Sequence, residues 1–432
     1  MINVGIIGFG TVGSGTVKIL LENKDLLKER LGFEINLKKI ATRSVNKERG
    51  IKVSDDMVTS DVSVLLDDPD IHIVAELVGG ITPAKDFILQ AISKGKHVVT
   101  ANKALLATEG NEIFKAAQKA GVEIGFEASV AGGIPIIKII REGLIANRIH
   151  AVYGIINGTS NYILTKMTEE NVQFSDALKE AQKLGFAEAD PTMDVEGIDS
   201  AHKLAILAFL SYGISIPFED ISVEGISQIE TQDIEFASEL GYKVKLLAIA
   251  KESDNEIELR VHPTMIPKDY LIAKVEGAFN AIYVEGDATG STLYYGRGAG
   301  DLPTGSAVVS DIASIARNIE KNAIGRIPLM TKTAREVKIK KIDDVLSMYY
   351  FRFSALDRPG VLSKISGILG NYNISIASVI QKGRRIGEAV PLVVLSHQAK
   401  ERDVRQAIKE IDLLPVVMDK TVFIRVEDRE DW

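Results

Sequence analysis

Ile2-Asn-Val-Gly-Ile-Ile-Gly-Phe-Gly-Thr-Val-Gly13 opens the chain, and its reading decides the fold of the first third. Ile2–Ile7 is an apolar run of strand length. From Thr11 to about Arg30 the apolar residues Val12, Val17, Ile19 and Leu20 fall at helical spacing. Between strand and helix lie Gly8, Gly10 and Gly13. Three glycines at this spacing permit a tight turn, close approach of backbone to a pyrophosphate, and close helix–strand packing. The free N–H groups at the start of the helix then face the phosphates. A glycine-rich turn without a ligand has the same letters, so the context has to decide.

The context is a repeated strand–helix rhythm. Glu34–Ala41 and Ile71–Val78 read as strands, the latter running into Gly79-Gly80. Pro83–Ser93 reads as a helix with Gly95 beyond it, His97–Thr100 as a strand, Glu109–Ala120 as a helix closed by Gly121, and Val122–Glu127 as a strand. This predicts a parallel sheet covered by helices on both faces, an α/β Rossmann dinucleotide-binding domain over about residues 1–130. Gly8, Phe9, Gly10, Thr11, Val12 and Gly13 are its candidate cofactor contacts. The second strand ends in Ala41-Thr42-Arg43, not in the acidic residue that would hold the ribose hydroxyls. Arg43 can pair with a 2′-phosphate, which favours NADP over NAD.

Beyond about residue 130 the texture changes. Strand-like runs at Arg148–Ile156, Ile257–Pro263 and Ala278–Val284 mix with longer helices, so residues 131–304 read as an α+β substrate and dimerisation domain. Gly305–Asn318 reads as a helix, able to return the chain to the first domain over about residues 305–320. A basic stretch, Lys332–Lys341, marks a linker at about 331–348. From 349 to 428 the order is strand (Tyr350–Ala355), turn (Asp357-Arg-Pro-Gly360), helix (Val361–Asn371), strand (Ser375–Gln381), strand (Val390–Ser396), helix (Lys400–Ile411), strand (Val416–Ile424). That is a ferredoxin-like βαββαβ unit.

Composition narrows the function. The chain has 432 residues, 46% hydrophobic and 25% charged, as in ordinary globular proteins. A net charge of −8 argues against nucleic acid, and no apolar run has the length of a membrane span. No signal-peptide layout precedes the first strand, so the expected compartment is the cytoplasm. With no cysteine there is no disulfide, no thiolate metal site and no cysteine nucleophile.

The chemistry points to Gly185-Phe-Ala-Glu-Ala-Asp-Pro-Thr-Met-Asp-Val-Glu-Gly-Ile-Asp-Ser-Ala-His-Lys203. It carries Glu188, Asp190, Asp194, Glu196 and Asp199 ahead of Lys203, and an apolar helix follows at once. Asp199 and Lys203 are four apart and share a helix face. Carboxylates that grip a cation, beside a lysine in an apolar wall, make a device for moving a proton. A solvated acidic loop before a core helix is the plainer reading of the same residues.

With the glycine loop, His97-Val-Val-Thr-Ala-Asn-Lys-Ala104, Asn157-Gly-Thr-Ser-Asn161 and the acidic segment in this order, the chain resembles homoserine dehydrogenases, and its tail resembles an ACT domain. The nearest likeness is to the monofunctional type with a C-terminal ACT domain, and it covers almost the whole chain. Because the chain starts at the nucleotide-binding strand, no aspartate-kinase domain is expected ahead of it. The resemblance implies NAD(P)-dependent interconversion of L-homoserine and L-aspartate 4-semialdehyde, a step toward threonine, methionine and isoleucine. It implies that Lys203 moves the proton, with Lys103 as a second, binding or co-catalytic lysine that also reaches the cofactor. Burial lowers a lysine's pKa toward neutrality, and neighbouring carboxylates oppose that shift. Glu188 and Asp199 match ligands of the substrate ammonium, Asp194 a supporting residue, and Asn157, Gly158 and Thr159 further substrate contacts. Asp190 and Glu196 receive no role. Thr100, Gly185 and Gly300 match cofactor contacts, although Arg297 departs from the Gly-Pro-Gly common at the late loop. Glu127 and the carbonyls of Val130, Gly132 and Ile134 match a loop that holds a monovalent cation, usually sodium; hard oxygen ligands of low total charge suit it. An ordinary glycine-rich hinge reads the same way.

ACT domains commonly pair and bind an amino acid near the first loop and helix, here Asp357-Arg-Pro-Gly360. The resemblance makes L-threonine the leading effector and a homodimer or larger homo-oligomer the expected assembly; a purely assembling role for the domain stays open. Three rivals remain. An acylating semialdehyde dehydrogenase forms a thioester on cysteine, which this chain lacks. Another NAD(P)-linked amino-acid oxidoreductase would use the acidic segment for a different ammonium substrate. A non-catalytic sensor of dinucleotide and amino acid would not need Lys203.

Overall fold

The structure is a computed structural model that describes residues 1–328, 337–382 and 388–428. The chain divides into two compact units. One comprises residues 1–158, 199–219 and 278–336, the other 159–198, 220–277 and 337–432.

In the first unit the expected strand–helix alternation forms a six-stranded parallel sheet. Its elements are β1 (Ile2–Ile7), α1 (Thr11–Glu22), α2 (Lys24–Leu31), β2 (Ile35–Ala41), β3 (Val58–Thr59), α3 (Ser63–Leu66), β4 (Ile73–Glu76), α4 (Ala84–Ser93), β5 (His97–Thr100), α5 (Lys103–Ala120) and β6 (Ile124–Gly125). The strand order is β3-β2-β1-β4-β5-β6, all pairs parallel. Two rows of helices follow from the right-handed crossover of each β–α–β connection. The order reverses at β1, where chain passes to β2 on one side and β4 on the other. Ligands of such sheets bind at that switch point, beyond the strands' C-terminal ends.

The long helix Asp301–Glu320 closes this unit. Ala307, Val308, Val309, Ile312 and Ile315 join Ile2, Val4, Ile6, Val17 and Ile73 in one core, as the expected return helix requires. It crosses α1 at glycines on both sides. A Cβ on Gly15 would overlap the carbonyl of Asp301, and one on Gly305 would meet the backbone of Gly15. Three further strands of the unit, Ile149–Ile155, Phe279–Gly286 and Gly290–Arg297, pair antiparallel in that order.

The second unit is built on a hairpin of two twelve-residue strands, Tyr242–Ser253 and Glu256–Pro267. Asp254 and Asn255, at φ 51° and 65°, make the two-residue turn, the left-handed pair that matches strand twist. The 349–428 region has the expected βαββαβ order, with strands Leu346–Leu356, Ile376–Gln381, Ala389–Ser396 and Val422–Val426 and helices Val361–Asn371 and Glu401–Ile411. The last strand lies between Leu346–Leu356, to which it is antiparallel, and Glu256–Pro267, to which it is parallel. Tyr349, Phe351, Phe353, Ile365, Leu369, Val394 and Ile408 fill the core under its two helices.

Several expected boundaries move. The helix expected from Thr11 to Arg30 breaks at Asn23 into α1 and α2. The one expected from Glu109 starts at Lys103, because the Asn102 side chain accepts the Leu105 N–H and caps it. The strand expected over Val122–Glu127 shortens to Ile124–Gly125 and gives way to a turn of 3₁₀-helix at Glu127–Ser129. That expected over Val416–Ile424 becomes Val422–Val426, since Val417 makes only an isolated bridge to Ala355. Of the expected linker, residues 331–336 lie outside the described residues; Lys338–Ile339 pairs with Glu256–Ile257, and Leu346 already begins the next strand. Tyr242–Ser253 and Gly290–Arg297 are strands that the sequence reading omitted.

Lys245 sits inside the second unit, 2% exposed, donating to Val275 O at 2.6 Å and Asn161 Oδ1 at 3.2 Å. Burial, aided by Lys243, lowers its pKa to about 8. Between that value and the ordinary 10.5 the unfolded chain holds a proton that the native state has lost, so stability rises with pH there. The full gain is roughly 3 kcal/mol, at 1.36 kcal/mol per pKa unit. Denaturation midpoints of the wild type should therefore climb relative to those of Lys245→Met from pH 8 upward. Parallel pH profiles would show that this lysine does not titrate there.

Candidate active site

Three elements of the first unit meet at one carboxylate. Asp199 stands in the first turn of the helix Ile198–Tyr212, and Lys203 follows one turn later. Lys203 Nζ donates to Asp199 Oδ2 at 2.7 Å and to Ile156 O at 2.6 Å. Asn157, just past the strand Ile149–Ile155, gives its Nδ2 to the same Oδ2 at 2.9 Å. Lys103, the first residue of α5, reaches Asp199 Oδ1 at 3.1 Å. A cation at a helix N-terminus opposes the helix dipole, and Asp199 offsets that cost.

Burial separates the partners. Asp199 is 5% and Lys203 9% exposed, whereas the Lys103 side chain is 39% exposed. Burial disfavours the Asp199 anion, but the charges of Lys203 and Lys103 and the hydrogen bonds from Lys203 and Asn157 outweigh it. Its carboxyl is therefore held below the usual range. The result is an anion with one enclosed and one half-open ammonium. His202 lies beside them, 8% exposed and stacked on Phe218 at 4.6 Å; burial lowers its pKa, so it is neutral at neutral pH.

The glycine loop has the form a dinucleotide needs. A Cβ on Gly13 would overlap Gly8 O, so the turn closes only with glycine there, while Gly10 faces open space. The first turn of α1 has no acidic residue and its N-cap Gly10 makes no side-chain bond, which leaves N–H groups for an anion. A cavity of about 310 Å³ lies at the loop, with Phe9, Thr42, Arg43, Lys47 and Arg49 in its wall. Arg49 Nε donates to Phe9 O at 2.7 Å and Nη2 to Ser44 O at 2.7 Å, with the guanidinium 4.4 Å from the Phe9 ring centroid. It ties the segment after β2 to the glycine loop, while Arg43 stays exposed.

Three family models match the chain: homoserine dehydrogenase, NAD binding domain, over residues 8–127; homoserine dehydrogenase over 135–313; and the ACT domain over 349–413. The homoserine dehydrogenase of Neisseria gonorrhoeae is 46% identical over 433 residues, covering 100% of this chain and 99% of that protein. That of Pseudomonas aeruginosa is 46% identical over 430 residues, covering 99% of each. The crystal structure of a homoserine dehydrogenase from Thiobacillus denitrificans superposes with a TM-score of 0.93 at 49% identity, over 99% of this chain and 98% of that one. A hyperthermophilic archaeal homoserine dehydrogenase in complex with NADPH gives a TM-score of 0.63 at 28% identity, over 73% of this chain and 97% of that chain.

This chain belongs to the homoserine dehydrogenase family.

It is an oxidoreductase with an NAD-binding domain of Rossmann type and a C-terminal ACT domain. Within this homoserine dehydrogenase part of the expected set of residues, Lys103, Asn157 and Lys203, meets at Asp199, inside the first unit. Glu188, Asp194, Thr159 and Gly185 belong to the second unit. There Thr159 Oγ1 donates to Phe186 O at 2.6 Å, Ser160 Oγ to Asp194 O at 2.8 Å, and Gly185, at φ 77°, ends the helix Phe174–Lys183. Asp190, given no role, accepts from Thr192 N and Oγ1 at 3.1 and 2.6 Å, just ahead of the short helix Thr192–Val195 and its N-cap Pro191.

Thr100, expected against the cofactor, is fully buried; its Oγ1 donates to Glu76 Oε2 at 2.8 Å. Glu76 in turn accepts from Val78 N, and Asn102 Nδ2 bonds Gly80 O at 2.6 Å, so these side chains shape the Gly79-Gly80 turn. Both were missed, since an acid and an amide inside strand–loop segments carry no periodic signal.

The Glu127 carboxylate accepts from Ile137 N and Lys138 N at 2.8 and 2.9 Å, and burial, then Asp311, raises its pKa to about 7. Gly132 is left-handed and packs on Gly298. Both carboxylate oxygens of Glu127 are thus taken by backbone N–H groups, and Ile134 O accepts from Ile136 N at 2.8 Å. Among the described residues no group of three or more His, Cys, Asp or Glu side chains converges as a transition metal would need. No described helix is long and apolar enough to cross a membrane.

Proposed function

We propose that this chain interconverts L-homoserine and L-aspartate 4-semialdehyde, with Lys203 as the group that holds and moves the proton. The observation that carries the reading is the single carboxylate of Asp199 between two lysines, one enclosed and one open. When bound, the nicotinamide cofactor gives or takes the hydride. In reduction Lys203 Nζ delivers its proton to the carbonyl oxygen of the semialdehyde; in oxidation it takes the hydroxyl proton back. Asp199 holds the ammonium in line in the charged state and keeps a second cation, Lys103, once that proton has gone. The enclosure of Lys203 keeps competing water from the proton path. Asp199 already accepts from three donors, Lys203, Lys103 and Asn157, which leaves less of its charge for the substrate ammonium.

The cofactor in this reading is NADP, with Arg43 meeting the 2′-phosphate and Arg49 holding the segment that presents it. Glu127 with the carbonyls of Val130, Gly132 and Ile134 holds a sodium ion as a structural support. The protein works in the cytoplasm as a homodimer or larger homo-oligomer, on the route to threonine, methionine and isoleucine, and L-threonine acts through the ACT domain.

Purified protein should reduce NADP in the presence of homoserine; no turnover with either homoserine or the semialdehyde would sink the assignment. Arg43→Ala should raise the KM for NADP by about tenfold, the scale of one lost charge-assisted contact, and leave that for NAD unchanged. An equal change for both cofactors would remove the 2′-phosphate role. Millimolar threonine should slow the same assay, and an unchanged rate would count against feedback through the ACT domain.

A further inference from the structure

Asn280 stands in the strand Phe279–Gly286 and is 1% exposed. Neither its Oδ1 nor its Nδ2 has a hydrogen-bond partner among the described residues. Buried side-chain amides are as a rule bonded, and one bare at both ends calls for a reason.

Its neighbours supply one. Ala281 lies opposite Ile155, so continuing that antiparallel register by one residue sets Asn280 beside Ile156. Ile156 is the residue whose carbonyl receives Lys203 Nζ, and Asn157, bonded to Asp199, comes next. On its other flank Asn280 pairs with Gly296, and Gly298 lies directly against its carboxamide, where a Cβ would overlap the amide. The loop Gly296–Gly300 also touches the Ala131–Gly133 turn: Gly133 N donates to Arg297 O at 3.0 Å. A bare carboxamide thus sits between the lysine's anchoring carbonyl and a run of alternate glycines, Gly296, Gly298 and Gly300, a residue type that changes backbone conformation at low cost.

We propose that Asn280 reads the carboxamide of the bound nicotinamide ring, donating Nδ2–H to its oxygen and accepting its N–H on Oδ1, with Gly298 lifting to admit it. The inference rests on the dehydrogenase reading. Its logic is geometric. The carboxamide is carried on ring carbon C3, next to C4, which holds the hydride. Hydride and proton leave adjacent atoms of the same alcohol, so the carboxamide must come to rest close to the lysine. A side chain that presents one donor and one acceptor in a plane matches a primary amide with two parallel hydrogen bonds. A charged residue in its place would stand buried and unpaired.

The test measures cofactor binding by fluorescence titration for wild type and Asn280→Ala, with NADP and with its 3-acetylpyridine analogue, where a methyl group replaces the amide nitrogen. The wild type should bind NADP about tenfold more tightly than the analogue, because a site built to hydrogen-bond a group rejects the ligand lacking it. In Asn280→Ala that ratio should collapse toward one, with the larger loss falling on NADP, which gives up both bonds where the analogue gives up one. A ratio that survives the substitution overturns the proposal, whatever happens to turnover. If Asn280→Ala does not fold, Asn280→Leu, of similar volume and with neither donor nor acceptor, is read in the same way. A lowered melting temperature with the ratio intact would mark an amide that serves the fold only, through a bound water, and also overturns it. Homoserine turnover by the wild type is the separate control on the dehydrogenase reading.

Discussion

Lys203→Ala should lower kcat by on the order of 10²–10⁴-fold, the usual worth of a positioned acid–base group, while the cofactor still binds. The separation follows from the architecture. Lys203 is in the helix Ile198–Tyr212 and bonds Asp199 and Ile156, whereas the glycine loop and Arg43 lie at the ends of β1 and β2. Lys203→Arg is the sharper variant. It keeps a cation for Asp199 but cannot give up a proton near neutral pH, so it should be as inactive as the alanine variant. Activity in Lys203→Arg close to wild type would show that the residue acts only through its charge, and would move the proton to Lys103. Lys103→Ala, which removes the half-open lysine, should act more on KM than on kcat. Steady-state rates and cofactor titrations on the three variants decide between these outcomes.

Arg425→Met should be the most destabilising single change in the second unit. Arg425 is 1% exposed in the strand Val422–Val426 and donates to two carboxylates: Nη1 and Nη2 to Glu224 at 2.8 and 2.9 Å, Nε to Glu401 Oε2 at 2.8 Å, and Nη2 to Glu401 Oε1 as well. Tyr349 Oη adds a bond to Glu401 at 2.8 Å. Next to this cluster Glu427 accepts from Arg260 at 2.6 Å and Lys251 at 2.7 Å; burial works against its charge, but the two cations hold its pKa down to about 2. Removing one member of a buried ionic group costs about 3–5 kcal/mol, because the partner charge stays buried and unpaired. Arg405 remains on Glu401, which sets the expected loss at the lower end. The double variant Arg425→Met with Glu401→Gln should recover part of it, since the stranded charge has gone. The first thermal transition of the full chain reports both, and a double variant no better than the single one would mean that packing, not charge, sets the cost.

Much of this was legible because the signals were local and redundant. The glycine loop was flanked by an unmistakable strand and a helix, and Asp199 and Lys203 sat at helical spacing, so their pairing could be read before any coordinates. Lys103 was marked by its motif, but its meeting with Asp199 depends on where α5 starts, and that start is fixed by a cap, Asn102, hidden in a run that looked like loop. The acidic segment was harder to divide. Its carboxylates sit close together in sequence, yet Asp190 accepts from Thr192 ahead of a short helix, the Asp194 carbonyl accepts from Ser160, and Asp199 holds the lysines. Proximity along a chain says little when a helix boundary at Ile198 falls inside the stretch. Tyr242–Ser253 went unread as a strand because both of its faces are largely covered, which erases the alternation that period-two patterns rely on. Asn280 had no signal at all: a lone amide after an aromatic residue is informative only once its neighbours are known.

The crossing of α1 with the helix Asp301–Glu320 has a consequence for biosynthesis. Gly15 and Gly305 meet almost backbone to backbone, so the helix that seals one side of the first sheet is made roughly 300 residues after the strand it covers. At a synthesis rate of about 5–20 residues per second, that is an interval of roughly 15–60 s during which the side of this core that the return helix covers stays open in the nascent chain. The nucleotide-binding half therefore cannot mature as an independent N-terminal module on the ribosome.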